Sequence, residues 1–371
     1  MNRLPVMKYT NGFLLCGFLA IGSLAVTSCS GPSGAPAMPA AGQEGQASSR
    51  LARERVKVQE FADLPPGTSS VSYVPSDVTV GPDGAMWVTD DIDQDSGENA
   101  VVRIATSGRR TNTYFYGGVT SEGSSLGSIT TGPDGALWVT DAYNSEVVRF
   151  SVEGNYTRFP VSGYGSPVNI VTGPDKALWF TEQVGSKSQV VRMTTKGAMT
   201  PYAVGGEPND IAVGSDGALW FTELGGQVGR ITTSGKITEY SKGISPGAKP
   251  YSIASGPDGA LWFTELTGGR IGRITTGGKI TEYSNGITAS ERPNDVVAGP
   301  DGAMWFTEYE VDQSYRVSAS KIGRITMQGE VTEYSKINPL SGPVGIAKGV
   351  KGDLWFAEGG TNEVGRLRIR G

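Results

Sequence analysis

The ten residues Gly256-Pro257-Asp258-Gly259-Ala260-Leu261-Trp262-Phe263-Thr264-Glu265 decide how the rest of the chain is read. Pro257 fixes φ early in a tight turn and Gly259 accepts the positive φ that closes it. Leu261 to Thr264 then suit a pleated strand. The phrase recurs with ends at Asp90, Asp141, Glu182, Glu223, Glu308 and, more loosely, Glu358. It holds every tryptophan of the chain: Trp87, Trp138, Trp179, Trp220, Trp262, Trp305 and Trp355. Steps of 51, 41, 41, 42, 43 and 50 residues separate them. A period of about 40–45 residues is the mark of a propeller with four strands per blade. The expectation is an all-β, seven-bladed β-propeller.

One repeat can be read strand by strand. Tyr251 to Ser255 is the innermost strand, Leu261 to Thr264 the second, Arg270 to Thr275 the third and Lys279 to Tyr283 the outer one. A two-residue hairpin turn at Gly277-Gly278 would set Arg273 opposite Glu282, Arg230 opposite Glu239 and Arg324 opposite Glu333. Such pairs read as surface staples. The chain stops 16 residues after Trp355, too early for a seventh outer strand. Lys57-Val58-Gln59-Glu60-Phe61 resembles Lys279-Ile280-Thr281-Glu282-Tyr283 and is expected to complete the last blade, Val58 pairing with Leu367 and Glu60 facing Arg366. Closing the ring removes the exposed edges of an open array.

The ends and the composition bound the function. Arg3 and Lys8 precede an apolar run from Phe13 to Val26, which ends Val26-Thr27-Ser28-Cys29. This reads as a secretory signal over residues 1–28, and the ending resembles a bacterial lipobox, in which Cys29 would carry lipid. Residues 29–50, poor in large apolar groups, read as a flexible tether, and residues 51–371 as the propeller. The expected setting is extracytoplasmic, on a bacterial envelope membrane. A net charge of −5 lacks the basic footprint of a nucleic-acid binder. The chain has no histidine, which excludes Ser-His-Asp chemistry and imidazole acid–base catalysis.

Two circles of side chains are expected around one mouth of the channel. One comprises the acids that end the second strands: Asp90, Asp141, Glu182, Glu223, Glu265, Glu308 and Glu358. The other opens the inner strands: Ser76, Gly127, Val168, Asn209, Tyr251, Asn294 and Val344. Carboxylate and amide oxygens suit Mg²⁺ or Ca²⁺, with Glu308 and Glu358 as candidate ligands; a repeated acid can equally cap backbone N–H groups. Two loops break the repeat. Asp91, Asp93 and Asp95 have the spacing of a calcium loop, although Gly97 is one place late and no twelfth-position Glu follows. The sixth-blade loop carries Tyr309, Tyr315 and Arg316, which with Asn209, Tyr251, Asn294 and Tyr143 would line an aromatic mouth for a small or peptide-like ligand.

The phrases GPDGALWFTE and IGRITTxGxITEY, repeated around a ring, resemble the streptogramin B lyase (virginiamycin B lyase) family over residues 56 to 370. The resemblance implies Mg²⁺-dependent elimination across the ester of a cyclic depsipeptide, with a histidine base and glutamate metal ligands in the last blade. The histidine positions fall at Asn294 and Val344. One glutamate falls at Glu358 and the other at Gly342. The base and one ligand are therefore absent, and no catalytic residue is assigned. The reading is a monomeric, membrane-anchored ligand-binding propeller. A lyase of that family and a protein-interaction scaffold at the envelope are the alternatives.

Overall fold

The computed structural model of the protein describes residues 56–61, 73–92, 98–117, 126–161, 165–184 and 188–369. Cys29, the apolar leader and the tether lie outside them, as do Asp93 and Asp95. Of Asp91 only the backbone is described.

Seven four-stranded antiparallel sheets make seven blades. Blades one to six span 73–117, 126–160, 166–203, 208–240, 250–283 and 292–334. The seventh takes three strands from 343–369 and its outer strand, Val56–Phe61, from the front of the chain. That strand pairs antiparallel with Glu363–Ile369, and Val58 faces Leu367 as expected. Inner strands of successive blades touch, and that of blade seven, Pro343–Lys348, touches that of blade one, Tyr73–Val80. The circle closes.

The core lies between blades. Trp179 and Val190 of blade three, for instance, pack with Ile211, Leu219 and Phe221 of blade four. Every Trp is fully buried. Each stacks on an outer-strand aromatic of its own blade, with ring centroids 5.3–5.8 Å apart. Phe61 does this for Trp355, at 5.7 Å, so the N-terminal strand supplies the aromatic that blade seven lacks. Stacking of this kind adds about 0.5–1.5 kcal/mol to area burial.

The expected Arg–Glu staples do not form. Arg273 faces Thr281 and Gly272 faces Glu282. Arg230 likewise faces Thr238, Arg324 faces Thr332 and Glu60 faces Gly365. The turn is longer than two residues: Gly278 N–H donates to Thr275 O and Thr275 N–H to Lys279 O. Gly278, at φ 85°, therefore closes a type I turn with a bulge, and the register moves by one. The arginines bind the turn aspartates instead, with Nε 2.5–2.7 Å from the carboxylate in blades one to six. The other oxygen of each aspartate accepts the Trp indole N–H at 2.9–3.1 Å. The outer-strand glutamates cap the link entering their own blade: Glu239 accepts from Gly205 N, Glu282 from Ser245 N and Glu60 from Asn338 N.

Candidate functional site

The inner strands share a β-bulge directly after the residue that pairs with the second-strand acid, as between Pro208 and Ile211 or Pro293 and Val296. A bulge leaves a backbone N–H without its ladder partner. Here the second-strand threonine supplies one. Thr222 Oγ1 accepts from Asp210 N at 3.1 Å and donates to Tyr251 O of the next blade at 2.7 Å. Thr89, Thr140, Thr181, Thr264 and Thr307 make the same bridge to Gly127, Val168, Asn209, Asn294 and Val344. The residues that open the inner strands thus sit in one circle, as expected, and six of them receive a bond from the preceding blade. At the last seam the threonine is replaced by Ala357.

One residue further along lies a layer that the sequence did not reveal: Asp77, Ser128, Asn169, Asp210, Ser252, Asp295 and Gly345. Three aspartates here tie neighbouring blades together. Each gives one oxygen to the next N–H of its own strand and the other to a following blade: Asp77 to Ile129 N, Asp210 to Ile253 N, Asp295 to Ile346 N, at 2.7–3.0 Å. Burial, and then the charge of Asp295, push Asp77 up to about 7 and Asp210 up to about 8.

The seven acids that end the second strands are all fully buried. Each pairs with the residue just before the inner-strand bulge, as Glu308 does with Pro293 and Glu358 with Pro343. Several act as caps. Asp141 accepts from the backbone and amide nitrogens of Asn144 at 3.1 and 2.8 Å, and Glu223 from Gly206 N at 3.3 Å. Gln189, across the strand pair, donates to Glu182 at 2.6 Å. The oxygens of Glu308 and Glu358 have no hydrogen-bond partner among the described residues. Burial, then Glu333 and Glu291, push Glu308 well above the usual carboxylate range. Burial pushes Glu358 up to about 8, although the nearby Ser341 hydroxyl opposes the shift.

Beside Glu308 stands Lys321, which faces it across the strand pair. Its ammonium lies 3.0 Å from Glu291 and 2.8 Å from Glu333 and donates to Thr288 Oγ1 at 2.7 Å. One cation therefore pairs with two acids and faces a third, Glu308. The sequence offered a signal for it: the residue facing the ring acid is Gln189, Gln227 and Arg270 in blades three to five. Blade six substitutes an ammonium.

Four of the proposed mouth residues form an arc over blades four to six. Asn209 Nδ2 donates to Tyr251 O at 2.9 Å. Tyr251 lies within electrostatic reach of Tyr309, and Asn294 hydrogen-bonds the Tyr309 side chain. Tyr309 is buried, because its strand, Met304–Val311, runs on beyond Glu308. Tyr315 and Arg316 are elsewhere, exposed at the tip of that hairpin, where Tyr315 takes a positive φ of 60° in the turn from Asp312.

The returning strand, Val317–Ile325, covers the start of blade seven. Ser320 Oγ accepts from Gly342 N and donates to Pro339 O, both at 3.0 Å. Gly342 has φ 52°, and a Cβ there would lie 2.9 Å from Val317 Cγ2. A glutamate at this position would need both a left-handed backbone and space that Val317 fills. The residues around Glu358 do not fit Mg²⁺, which calls for near-octahedral oxygen ligation. Glu358 is sealed and raised in pKa, the Ser341 hydroxyl is close to it, and Glu363 and Glu60 act on it electrostatically without converging on a shared centre. Among the described residues no three Asp, Glu or Cys side chains converge as a metal centre.

The model of the virginiamycin B lyase family matches residues 68–321 and 206–371. A streptogramin B lyase structure is 31% identical and aligns with a TM-score of 0.72 over 86% of this chain and 99% of that one. A catalytically inactive histidine-to-alanine variant of the virginiamycin B lyase from Staphylococcus aureus, with quinupristin, is also 31% identical, with a TM-score of 0.71 over 85% and 99%. No curated protein matches.

Proposed function

The chain belongs to the virginiamycin B lyase family, and from that premise we propose that it is an envelope-anchored receptor whose propeller binds a small or peptide-like ligand at the channel mouth without lyase turnover. One observation carries this reading. A relative from Staphylococcus aureus is made inactive by replacing one histidine with alanine, and this chain has no histidine at all. General-base catalysis is worth about 10²–10⁴ in rate, and neither Val344 nor Asn294 can take a proton at neutral pH. Glu308 and Glu358, sealed and pushed up in pKa by burial, do not replace it.

The arc of Asn209, Tyr251, Asn294 and Tyr309 supplies what binding needs, amide and phenol groups held by a rigid inner wall. Anchoring through lipid at Cys29 would keep this receptor at the outer side of a bacterial membrane. Family membership favours the second reading, a Mg²⁺-dependent lyase acting on cyclic depsipeptides. Incubation with a streptogramin B and Mg²⁺, followed by mass spectrometry, separates the two. The expected result is saturable binding with no linearised product. Product that disappears in Glu358→Gln would establish the lyase.

A further inference from the structure

We propose a second binding site, for a phosphate-bearing anion, on the opposite face of the ring, where the N-terminal strand enters blade seven. An open pocket of about 610 Å³ lies there, lined among others by Lys57, Lys351, Asp353, Arg366 and Arg368. Four cations meet one carboxylate in a protein whose net charge is −5. The site does not depend on the channel-mouth reading.

The repeat explains why this pocket is unlike its six counterparts. In blades one to six the residue four places before the Trp is an aspartate that neutralises the third-strand arginine, for example Asp258 with Arg273. In blade seven that place holds Lys351, and the acid moves two places on, to Asp353. Arg366 follows it inward. Its guanidinium pairs with Asp353, donates to Thr106 O of blade one at 2.8 Å and lies over Trp355. It is 4% exposed, where the other six arginines are 22–32%.

Asp353 is consumed by this buried pair. Lys57, Lys351 and Arg368 have no acidic partner within ion-pair distance among the described residues. They come from three segments: the closing strand, the turn and the third strand. With Arg366 held by Asp353, the free cations are Arg368, whose planar fork matches phosphate oxygens, and two lysines, which add point charges. The chemistry recognised is that of a phosphate group, whether free or on a lipid headgroup.

The test titrates the full chain calorimetrically with two soluble probes, inorganic pyrophosphate and glycerophosphoglycerol. Saturable binding of either supports the site. Binding of pyrophosphate alone points to a free anion, and binding of glycerophosphoglycerol to a headgroup. Lys351→Asp restores the residue that the other turns carry, so the fold should persist, checked by an unchanged thermal midpoint. It should weaken binding about tenfold or more, whereas Lys351→Arg should retain it. Lys336→Asp, away from the pocket, controls for net charge. No saturable binding of either probe at millimolar concentration would overturn the proposal. So would a Lys351→Asp protein that binds like the parent, or a Lys336→Asp protein that loses as much.

Discussion

At the scale of single residues, the threonines of the second strands carry more than their size suggests. Thr222 satisfies the N–H exposed by one blade's bulge and the carbonyl of the next. Replacing it with valine keeps the volume but strands the buried Asp210 N–H and leaves Tyr251 O with only its bond from Asn209. The expected loss is about 1–3 kcal/mol, read from urea denaturation, with Thr222→Ser recovering most of it. A valine variant as stable as the parent would show that water takes over the bridge. Lys321 is the other single residue on which much rests. Lys321→Met strands Glu291 and Glu333 beside a buried Glu308, and should cost about 3–5 kcal/mol at pH 8. The cost should shrink as pH falls, because burial raises Glu291 and makes it easier to protonate, a trend that loss of packing alone would not produce.

At the scale of strands and turns, the periodic Trp phrase placed every blade and the closing strand. The order of strands and the Val58–Leu367 pairing were legible from it. The hairpin register was not, because two adjacent glycines accommodate either a two-residue turn or a longer turn ending in a left-handed residue. The structure separates the two glycines. Gly278 has φ 85°, and a Cβ there would lie 2.2 Å from a Tyr240 ring carbon. Gly277 would meet only Thr275 Oγ1, at 3.8 Å. Gly278→Ala should therefore destabilise by about 1–3 kcal/mol and Gly277→Ala by less than about 0.5 kcal/mol, measured by thermal unfolding. Equal effects would contradict the turn. The channel layer escaped sequence reading for a different reason. Asp, Ser, Asn and Gly share those seven positions, and what unites them is backbone geometry, not residue type.

At the scale of the whole ring, buried acids set how stability depends on pH. Asp77 and Glu223 titrate near 7 in the folded protein, and Asp210, Glu265 and Glu358 near 8, all raised first of all by burial. In the unfolded chain the same groups lose their protons near 4. Between about pH 4 and pH 8 the folded state therefore holds protons that the unfolded state has released, so stability must fall as pH rises through that window. The turn aspartates oppose this only below it. Burial would raise Asp258, but its bonds from Arg273 and Trp262 outweigh that and hold it below its usual value, so its contribution is lost only at lower pH. Opposed slopes place the stability maximum on the acid side, at about pH 4. The urea midpoint should accordingly be higher at pH 5.5 than at pH 8.5. Asp210→Asn keeps an acceptor for Ile253 N but cannot ionise, and should reduce the slope by up to about 1.4 kcal/mol per pH unit. A midpoint that rises with pH would mean that water in the channel solvates these carboxylates, and that the aspartates joining the blades are charged in the native ring.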